Sequence, residues 1–402
     1  MGTSGTADAR GIVGTADWGP AVRVRDMGTS IFTEMTELAR RTGAVNLGQG
    51  VPELASPDAL LKDVAEAVLS GNNQYPPAVG FPALREAVAE HQLRRYGLDY
   101  NPAGEVLITT GATEALASAL LALCDPGDEV LAFDPCYDAY AADARLASAR
   151  LVAVPLVSDG DGFALDVDAL RAAVTARTRV LVLNTPHNPT GKVFTAEELA
   201  AIAEIAQEHS LTVVTDEVYE HLVYNGVAHL PIASLPGMRE RTLTISSAGK
   251  TFSVTGWKIG WVSGPAPLVA AVAAAKQFLT YASGTPYQEA LARALGSVEE
   301  WAADLRETLR HNRNLLSEGL TRAGLRPYRA DAGYFLQADV RPWGYADGVT
   351  FCRELPERAG VVAIPTSAFY ESADAPVWLV RFSFCKQEES IRTAVEQLIT
   401  AR

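Results

Sequence analysis

Basic residues are scarce relative to acidic ones in this 402-residue chain: 34 lysines and arginines stand against 48 aspartates and glutamates, a formal net charge of −14. A surface of that sign repels nucleic acid and anionic membranes at long range, so neither is an expected partner, though a local basic pocket for a small anion stays open. Cysteine is scarcer still. Cys124, Cys136, Cys352 and Cys385 lie far apart, with no C-x-x-C spacing and no histidine cluster beside them. That pattern excludes a disulfide framework, leaves no metal expected, and reads as reduced structural thiols in a cytoplasmic protein. No apolar run reaches the ~20 residues that cross a bilayer, and no basic stretch followed by an apolar one opens the chain, so neither insertion nor export is expected.

What is present is ordinary core material. Apolar residues make up 48% of the chain and charged residues 20%, enough to bury a sizeable core, and the length predicts two domains. Residues 1–20, rich in Gly, Ala, Thr and Asp, hold no sustained period and read as a mobile extension. From Ser30, the run IFTEMTELARRTG puts Ile31, Met35 and Leu38 on one helical face, with Gly43 as the stop. The glycines and prolines of NLGQGVPELASP then forbid a regular element. A helix from about residue 57 to 70 follows. After a loop from Tyr75 to Pro82, another carries Leu84, Ala87, Val88 and His91 at core spacing.

Strand-like runs then recur at residues 105–110, 129–134, 150–156, 179–185, 211–216, 242–246 and 259–264. Helical patterns separate most of them, one opened by Thr195 and Glu198 in capping-box spacing. Continuous apolar strands joined through helices predict an α/β fold. The large domain, residues 61–298, is expected to hold a mostly parallel seven-stranded sheet flanked by helices. Long helices at about 265–298 and 300–323 lead into YFLQADV, VVAIPTSAF and WLVRFSF. These make residues 299–402 a smaller α+β domain, joined by the segment 21–60.

Ligands collect at the carboxyl ends of such strands, and that rule selects a short set of side chains. Gly111, Ala112 and Thr113 follow the first run; Cys136 and Tyr137 the second; His187 to Gly191, with Asn188, the fourth; Asp216 and Tyr219 the fifth. The sixth leads into SSAGKTFSVTGWKIGW, which presents Lys250 and Lys258 among small residues. One lysine could be a nucleophile, since desolvation lowers an amine's pKa, and the other an anion clamp. Backbone N–H groups at the helix start after Gly111 would attract a phosphate, with Ser247 and Lys258 closing the site. Asp216, ending an apolar strand, needs a partner, and a protonated ring nitrogen would serve. Tyr219 and Asn188 can reach one phenolic oxygen, and Tyr137 can stack on a planar ring. An aldehyde accepting lysine, a ring nitrogen, a phenolate and a phosphate together describe pyridoxal 5′-phosphate.

The ordered signatures NLGQG, NQYPPAVGFPALREAV, HNPTG, TDEVYEHLVY, SSAGKTFSVTGWKIGW and VRFSFCK identify what the chain resembles. From about residue 20 to its end it is similar to the fold-type I, pyridoxal-phosphate-dependent aminotransferases of class I/II. Within them it resembles the N-succinyldiaminopimelate and kynurenine/glutamine branches, the first slightly more closely. The resemblance implies that Lys250 forms the Schiff base and shuttles the proton between the substrate Cα and the cofactor. It also implies that Asp216 holds the pyridinium proton and that Tyr219 and Asn188 bind the ring oxygen. Gly111, Ala112, Thr113, Ser247 and Lys258 would cradle the phosphate, joined by Tyr75 from a second subunit, and Tyr137 would stack on the ring. Arg381 would grip the substrate α-carboxylate beside Gly50 and Asn188, with Phe32 where the kynurenine branch tends to have tryptophan.

Ser283 and Gly284 precede TPYQ where that branch has aromatic or histidine side chains, which implies a pocket more open on one side. The implied activity is transfer of an amino group from an L-amino acid to a 2-oxo acid by a homodimer with composite sites. The donor would be N-succinyldiaminopimelate or a kynurenine-, glutamine- or methionine-type amino acid. A lyase or β/γ-replacement enzyme on the same scaffold is the first alternative. A ligand-sensing regulator is the second, and it lacks the basic DNA-binding module it would need.

Overall fold

A computed structural model describes residues 19–25, 27, 31–372 and 375–402; most of the expected N-terminal extension lies outside the described residues. Seven strands form the large sheet: β1 (Val106–Thr109), β2 (Glu129–Asp134), β3 (Arg150–Pro155), β4 (Thr178–Asn184), β5 (Thr212–Asp216), β6 (Thr242–Ser247) and β7 (Gly260–Ser263). Their spatial order is β1-β7-β6-β5-β4-β2-β3. β7 is antiparallel to both its neighbours, and the other pairings are parallel. Each expected strand is therefore present to within a residue or two of its predicted bounds.

The reason is visible in which way successive side chains face. Val130 and Ala132 enter one core with Val182, Val214 and Val262, whereas Leu131 and Phe133 enter another with Leu181, Leu183 and Val213. A period of two with both faces apolar is what a strand covered by helices on each side requires. The helix Gly111–Leu123 packs over the first core, and Ala196–Glu208 over the second. The capping box at Thr195 forms as read, with Glu198 N–H donating to Thr195 Oγ1 at 3.2 Å and Thr195 N–H to Glu198 Oε2 at 2.8 Å.

Four antiparallel strands build a second sheet in the order β8-β9-β11-β10: β8 (Arg326–Pro327), β9 (Phe335–Asp339), β10 (Ile364–Pro365) and β11 (Leu379–Ser383). Its core takes in Leu309 and Leu316 of the helix Val298–Arg322, together with Met35 and Leu38 of the helix Ile31–Thr42. Val45–Asn46 pairs with Val361–Val362 in a separate parallel ladder. The segment after residue 30 thus packs with the C-terminal part of the chain.

One expectation needs correction. The run 265–298 is not a single helix but two, Ala266–Lys276 and Thr285–Gly296. Gly284 at φ +68° and Tyr281 at φ +61° turn the chain between them, and Pro286 inside the first turn of the second helix cannot continue an earlier one.

Candidate active site

The carboxyl ends of the parallel strands and the start of the helix Gly111–Leu123 surround a cavity of about 380 Å³. Gly111, at φ +71°, makes the turn from β1 into that helix. A Cβ at Gly260 would come within 2.7 Å of the Gly111 carbonyl carbon and 2.8 Å of Ala112 N, so β7 can pass the helix start only as glycine. Lys258 reaches the same place from a left-handed conformation, φ +53°, uncommon for a residue with a side chain. Its Nζ donates to Thr113 Oγ1 at 3.1 Å. Ser247 caps the short helix Ala248–Thr251, accepting from Gly249 N–H at 3.2 Å. Ala112, Thr113, Ser247 and Lys258 all line the cavity.

Lys250, on that short helix, faces the cavity half-buried, and burial holds its amine below the ordinary lysine range. Its Nζ lies 5.5 Å from the ring centre of Tyr334 and 5.9 Å from that of Tyr219, and the Tyr334 hydroxyl donates to the Lys250 carbonyl at 3.1 Å. Asp216 ends β5 and is buried. Burial pushes its carboxyl up, and the Tyr140 hydroxyl, donating to Oδ2 at 2.7 Å, opposes this. Val218 N–H donates to Oδ1 at 3.3 Å. Asn184, in register with Asp216 across β4 and β5, donates through Nδ2 to the Asp216 carbonyl at 2.8 Å and accepts from Asn188 N–H at 2.7 Å. The Tyr219 phenol is pushed up by burial, and the Tyr137 phenol, for the same reason, to about 12.

Arg381 comes from β11 of the second sheet. Its guanidinium donates to Asn188 Oδ1 at 3.2 Å and to the Gly48 carbonyl at 2.9 Å. Three phenylalanine rings surround it, Phe335 at 3.8 Å, Phe369 at 4.5 Å and Phe32 at 5.2 Å. Burial lowers it to about 10, it makes no ion pair among the described residues, and Nε is buried without a partner. A buried cation that no carboxylate touches is costly unless an anion comes to it, and the Asp138 carboxylate attracts Arg381 from the same cavity without pairing with it. Gly50 also faces the cavity. A Cβ there would meet Phe335 Cζ at 2.4 Å, so the backbone approaches where a side chain could not.

Every residue assigned a cofactor or substrate role from the sequence lines this one cavity except Tyr75. Tyr75 is 83% exposed and packs edge-on against Tyr281 at 5.8 Å. His187, at a strand end as expected, is buried outside the cavity and bonded to Thr190 Oγ1 at 2.8 Å. The sequence reading missed Tyr140, Asn184, Gln49, Asp138 and Phe335. Asn184 had a usable signal, since it too stands at the end of a central strand; Tyr140 had none, because its target lies 76 positions away. All four cysteines are free and buried. The donors fit a planar aldehyde-bearing phosphate: an amine below its usual range, a buried carboxylate whose Oδ1 holds only a long bond, and a lysine, a serine and a helix start at one cavity.

The family model described as aminotransferase class I and II matches residues 42–398. A probable N-succinyldiaminopimelate aminotransferase of Mycobacterium tuberculosis is 53% identical over 384 residues, which cover 94% of this chain and 97% of that protein. The methionine aminotransferase of Escherichia coli is 38% identical over 94% of this chain and 97% of its own length. A solved N-succinyldiaminopimelate aminotransferase from M. tuberculosis superposes with a TM-score of 0.94 at 52% identity, covering 96% of this chain and 100% of that one.

Proposed function

The chain belongs to the class I and II aminotransferases, and on that premise we propose that it moves an amino group from an L-amino acid to a 2-oxo acid with pyridoxal 5′-phosphate as cofactor. The observation that carries this reading is one cavity holding a depressed amine, Lys250, a buried carboxylate, Asp216, and a buried guanidinium, Arg381, that makes no ion pair among the described residues. When bound, the cofactor supplies an aldehyde for amines and a protonated ring that withdraws electrons.

The residues divide the remaining work. Lys250, held below the ordinary lysine range by burial, gives up its proton more readily than an exposed lysine, so it would be the amine for the cofactor's aldehyde and would carry a proton to and from the substrate Cα. Asp216 holds the ring-nitrogen proton, with Tyr140 and Val218 N–H fixing its orientation. Tyr219 and the unused Nδ2 of Asn188 hold the ring oxygen, and Tyr137 stacks on the ring. The phosphate belongs to Gly111, Ala112, Thr113, Ser247 and Lys258. Arg381 takes the α-carboxylate through a planar fork that a lysine cannot copy, beside Gly50 and Phe32.

Tyr75 stands exposed outside the cavity of its own subunit, which supports a homodimer in which it completes the partner's phosphate site. The exposed apolar side chains Leu69, Tyr75 and Phe278 are consistent with such a face. Largely distinct cores beneath the two sheets support a large domain of residues 61–298 and a small one of 299–402, joined by 21–60, with Val218, Tyr219, Leu222 and Tyr224 of the first packing into the core of the second. Among the described residues no helix is long and apolar enough to cross a membrane, and four free buried thiols agree with a cytoplasmic setting.

For the donor, the relative with 53% identity supports N-succinyldiaminopimelate ahead of methionine, kynurenine or glutamine. Elimination or replacement on the same scaffold is not favoured, since the similar proteins are named for amino transfer. The test is a donor screen with the loaded enzyme and no acceptor. Stoichiometric 2-oxo acid, with the amino group retained on the protein-bound cofactor, supports the proposal; release of ammonia or of a side-chain fragment refutes it.

A further inference from the structure

Behind the strand end that carries Lys250 lies a buried polar cluster that the reaction does not touch. His91, from the helix Pro82–Tyr96, places Nε2 2.9 Å from Nε2 of His221. Nδ1 of His221 lies 3.4 Å from Thr251 Oγ1, and that hydroxyl is 3.2 Å from the Ser247 carbonyl. Glu220 accepts from the Tyr96 hydroxyl at 2.7 Å and from the Ser246 hydroxyl at 2.6 Å. Tyr219, Ser247 and Lys250, which line the cavity, are thus each next in sequence to a member of this cluster.

The direction of these bonds is fixed by counting donors. A carbonyl only accepts, so Thr251 gives its single hydrogen to Ser247 O and must accept from His221. His221 therefore carries its proton on Nδ1 and presents a bare Nε2, and His91 must donate through Nε2–H. That leaves His91 Nδ1 bare, and this atom is buried without a hydrogen-bond partner among the described residues. Burial pushes both imidazoles down, His221 to about 3, and the Ser246 hydroxyl helps to hold the Glu220 carboxyl down against its own burial.

His91, Glu220 and His221 also bring three ligand-type atoms within 4.8 Å of one another. A cation there would compete with bonds already made. Both carboxylate oxygens have hydroxyl donors, and a proton occupies the space between the two Nε2 atoms.

We infer that His221, held as the Nδ1–H tautomer by His91, is a positioning residue that fixes through Thr251 the turn from Ser247 to Lys250, and so sets where the Lys250 amine stands. The inference rests on Lys250 being the reacting amine, but the tautomer itself does not. A displaced amine would slow proton transfer at the substrate Cα while leaving capture of the carboxylate by Arg381 intact.

The first measurement is long-range ¹H–¹⁵N NMR on the cofactor-free protein labelled in histidine. His221 is expected to show a protonated Nδ1 and bare Nε2, and His91 the reverse. The opposite pattern, or a protonated pair at neutral pH, overturns the inference whatever Lys250 does. The second is a kinetic split. His221→Leu should lower kcat roughly 10-fold or more with the donor KM within about 2-fold, because small misplacements of a reacting group are expensive. His221→Asn, whose Nδ2 can stand in for Nδ1–H, should recover most of that loss. Should His221→Leu fail to fold, the near-isosteric Thr251→Val removes the same link and should give the same kcat loss. In the double variant His221→Leu/Thr251→Val, the loss should match the larger single effect. Equal activity of the Leu and Asn variants, or a fall in KM capture rather than kcat, overturns the positioning role. Stoichiometric uptake of Co²⁺ with a visible band lost in His91→Phe also overturns it, by making the cluster a metal site.

Discussion

The Tyr140 hydroxyl donates to Asp216 Oδ2 at 2.7 Å, and it is the only side-chain donor on that carboxylate among the described residues. Burial raises the Asp216 carboxyl and this bond lowers it. Tyr140→Phe should therefore let Asp216 go neutral more readily and loosen its hold on a ring-nitrogen proton. A hydrogen bond to a charged group contributes about 1.5–3 kcal/mol, so cofactor affinity should fall on the order of 10-fold at neutral pH. Equilibrium dialysis of the cofactor at pH 6 and 8 checks it, with recovery expected at the higher pH. An unchanged affinity would remove the bond's assigned role.

Lys250→Ala should abolish 2-oxo acid production and the visible absorption of the bound cofactor while leaving the fold intact. Methylamine added in solution should restore part of the turnover, because only the amine is missing. Turnover near the wild-type rate without any added amine would overturn the assignment of the reacting group.

Arg381→Lys keeps the charge but loses the fork, and Asn188 and the Gly48 carbonyl lose a partner each. A bidentate charge-assisted pair contributes about 3 kcal/mol, so kcat/KM should fall on the order of 100-fold, largely through KM. Steady-state kinetics with several donors should show a similar loss for each, since every donor carries the same α-carboxylate. A loss confined to one donor would assign Arg381 to side-chain recognition instead.

Mixing inactive dimers tests the shared site. Lys250→Ala and Tyr75→Ala homodimers, each impaired, should regain activity when exchanged into hybrids, because one of the two sites then holds both native residues. If Tyr75 serves its own subunit, mixing restores nothing.

Away from the site, Glu129 at the start of β2 is fully buried and held at about 2. The Thr175 hydroxyl at 2.6 Å leads, with Arg150 and Arg177 following against the penalty of burial. A carboxyl depressed in the folded state stabilises above its unfolded pKa, near 4.5, and that stability is lost as pH falls toward 2. Glu129→Gln should cost roughly 2 kcal/mol at pH 7, allowing for the exposed arginines, and much less at pH 3. Urea unfolding at the two pH values reads this directly; an equal loss at both would mean that packing, not charge, is what the substitution removes.

The sheet was legible because its strands are apolar on both faces, so Val130, Leu131, Val182 and Leu183 announce a strand whichever way the chain is read. The site followed from one rule about strand ends together with the ordered motifs. What escaped was set by approaches between distant segments. Tyr140 meets Asp216 across 76 positions, and His91 meets His221 across 130, so their residue types said only aromatic and polar at core spacing. Phe335 and Phe369 read as core strand residues, and their placement around Arg381 depends on how the second sheet lies against the first. The break at Gly284 was present in the sequence as G-T-P, but the apolar period on both sides masked it.

β7 is inserted between β6, which it follows in the chain, and β1, synthesised about 150 residues earlier. Among the described residues β1 has no other neighbour in its sheet. During synthesis the edge that faces β7 therefore waits unpaired until residues 260–263 have left the ribosome, and the glycine turn at its end cannot meet Lys258 before then. A nascent chain stalled before that point should expose an adhesive strand edge and retain no cofactor. One stalled well beyond it gains the pairing and the phosphate cradle in the same event. The order of translation thus makes the large sheet's last strand the gate through which the chain becomes both less sticky and able to bind.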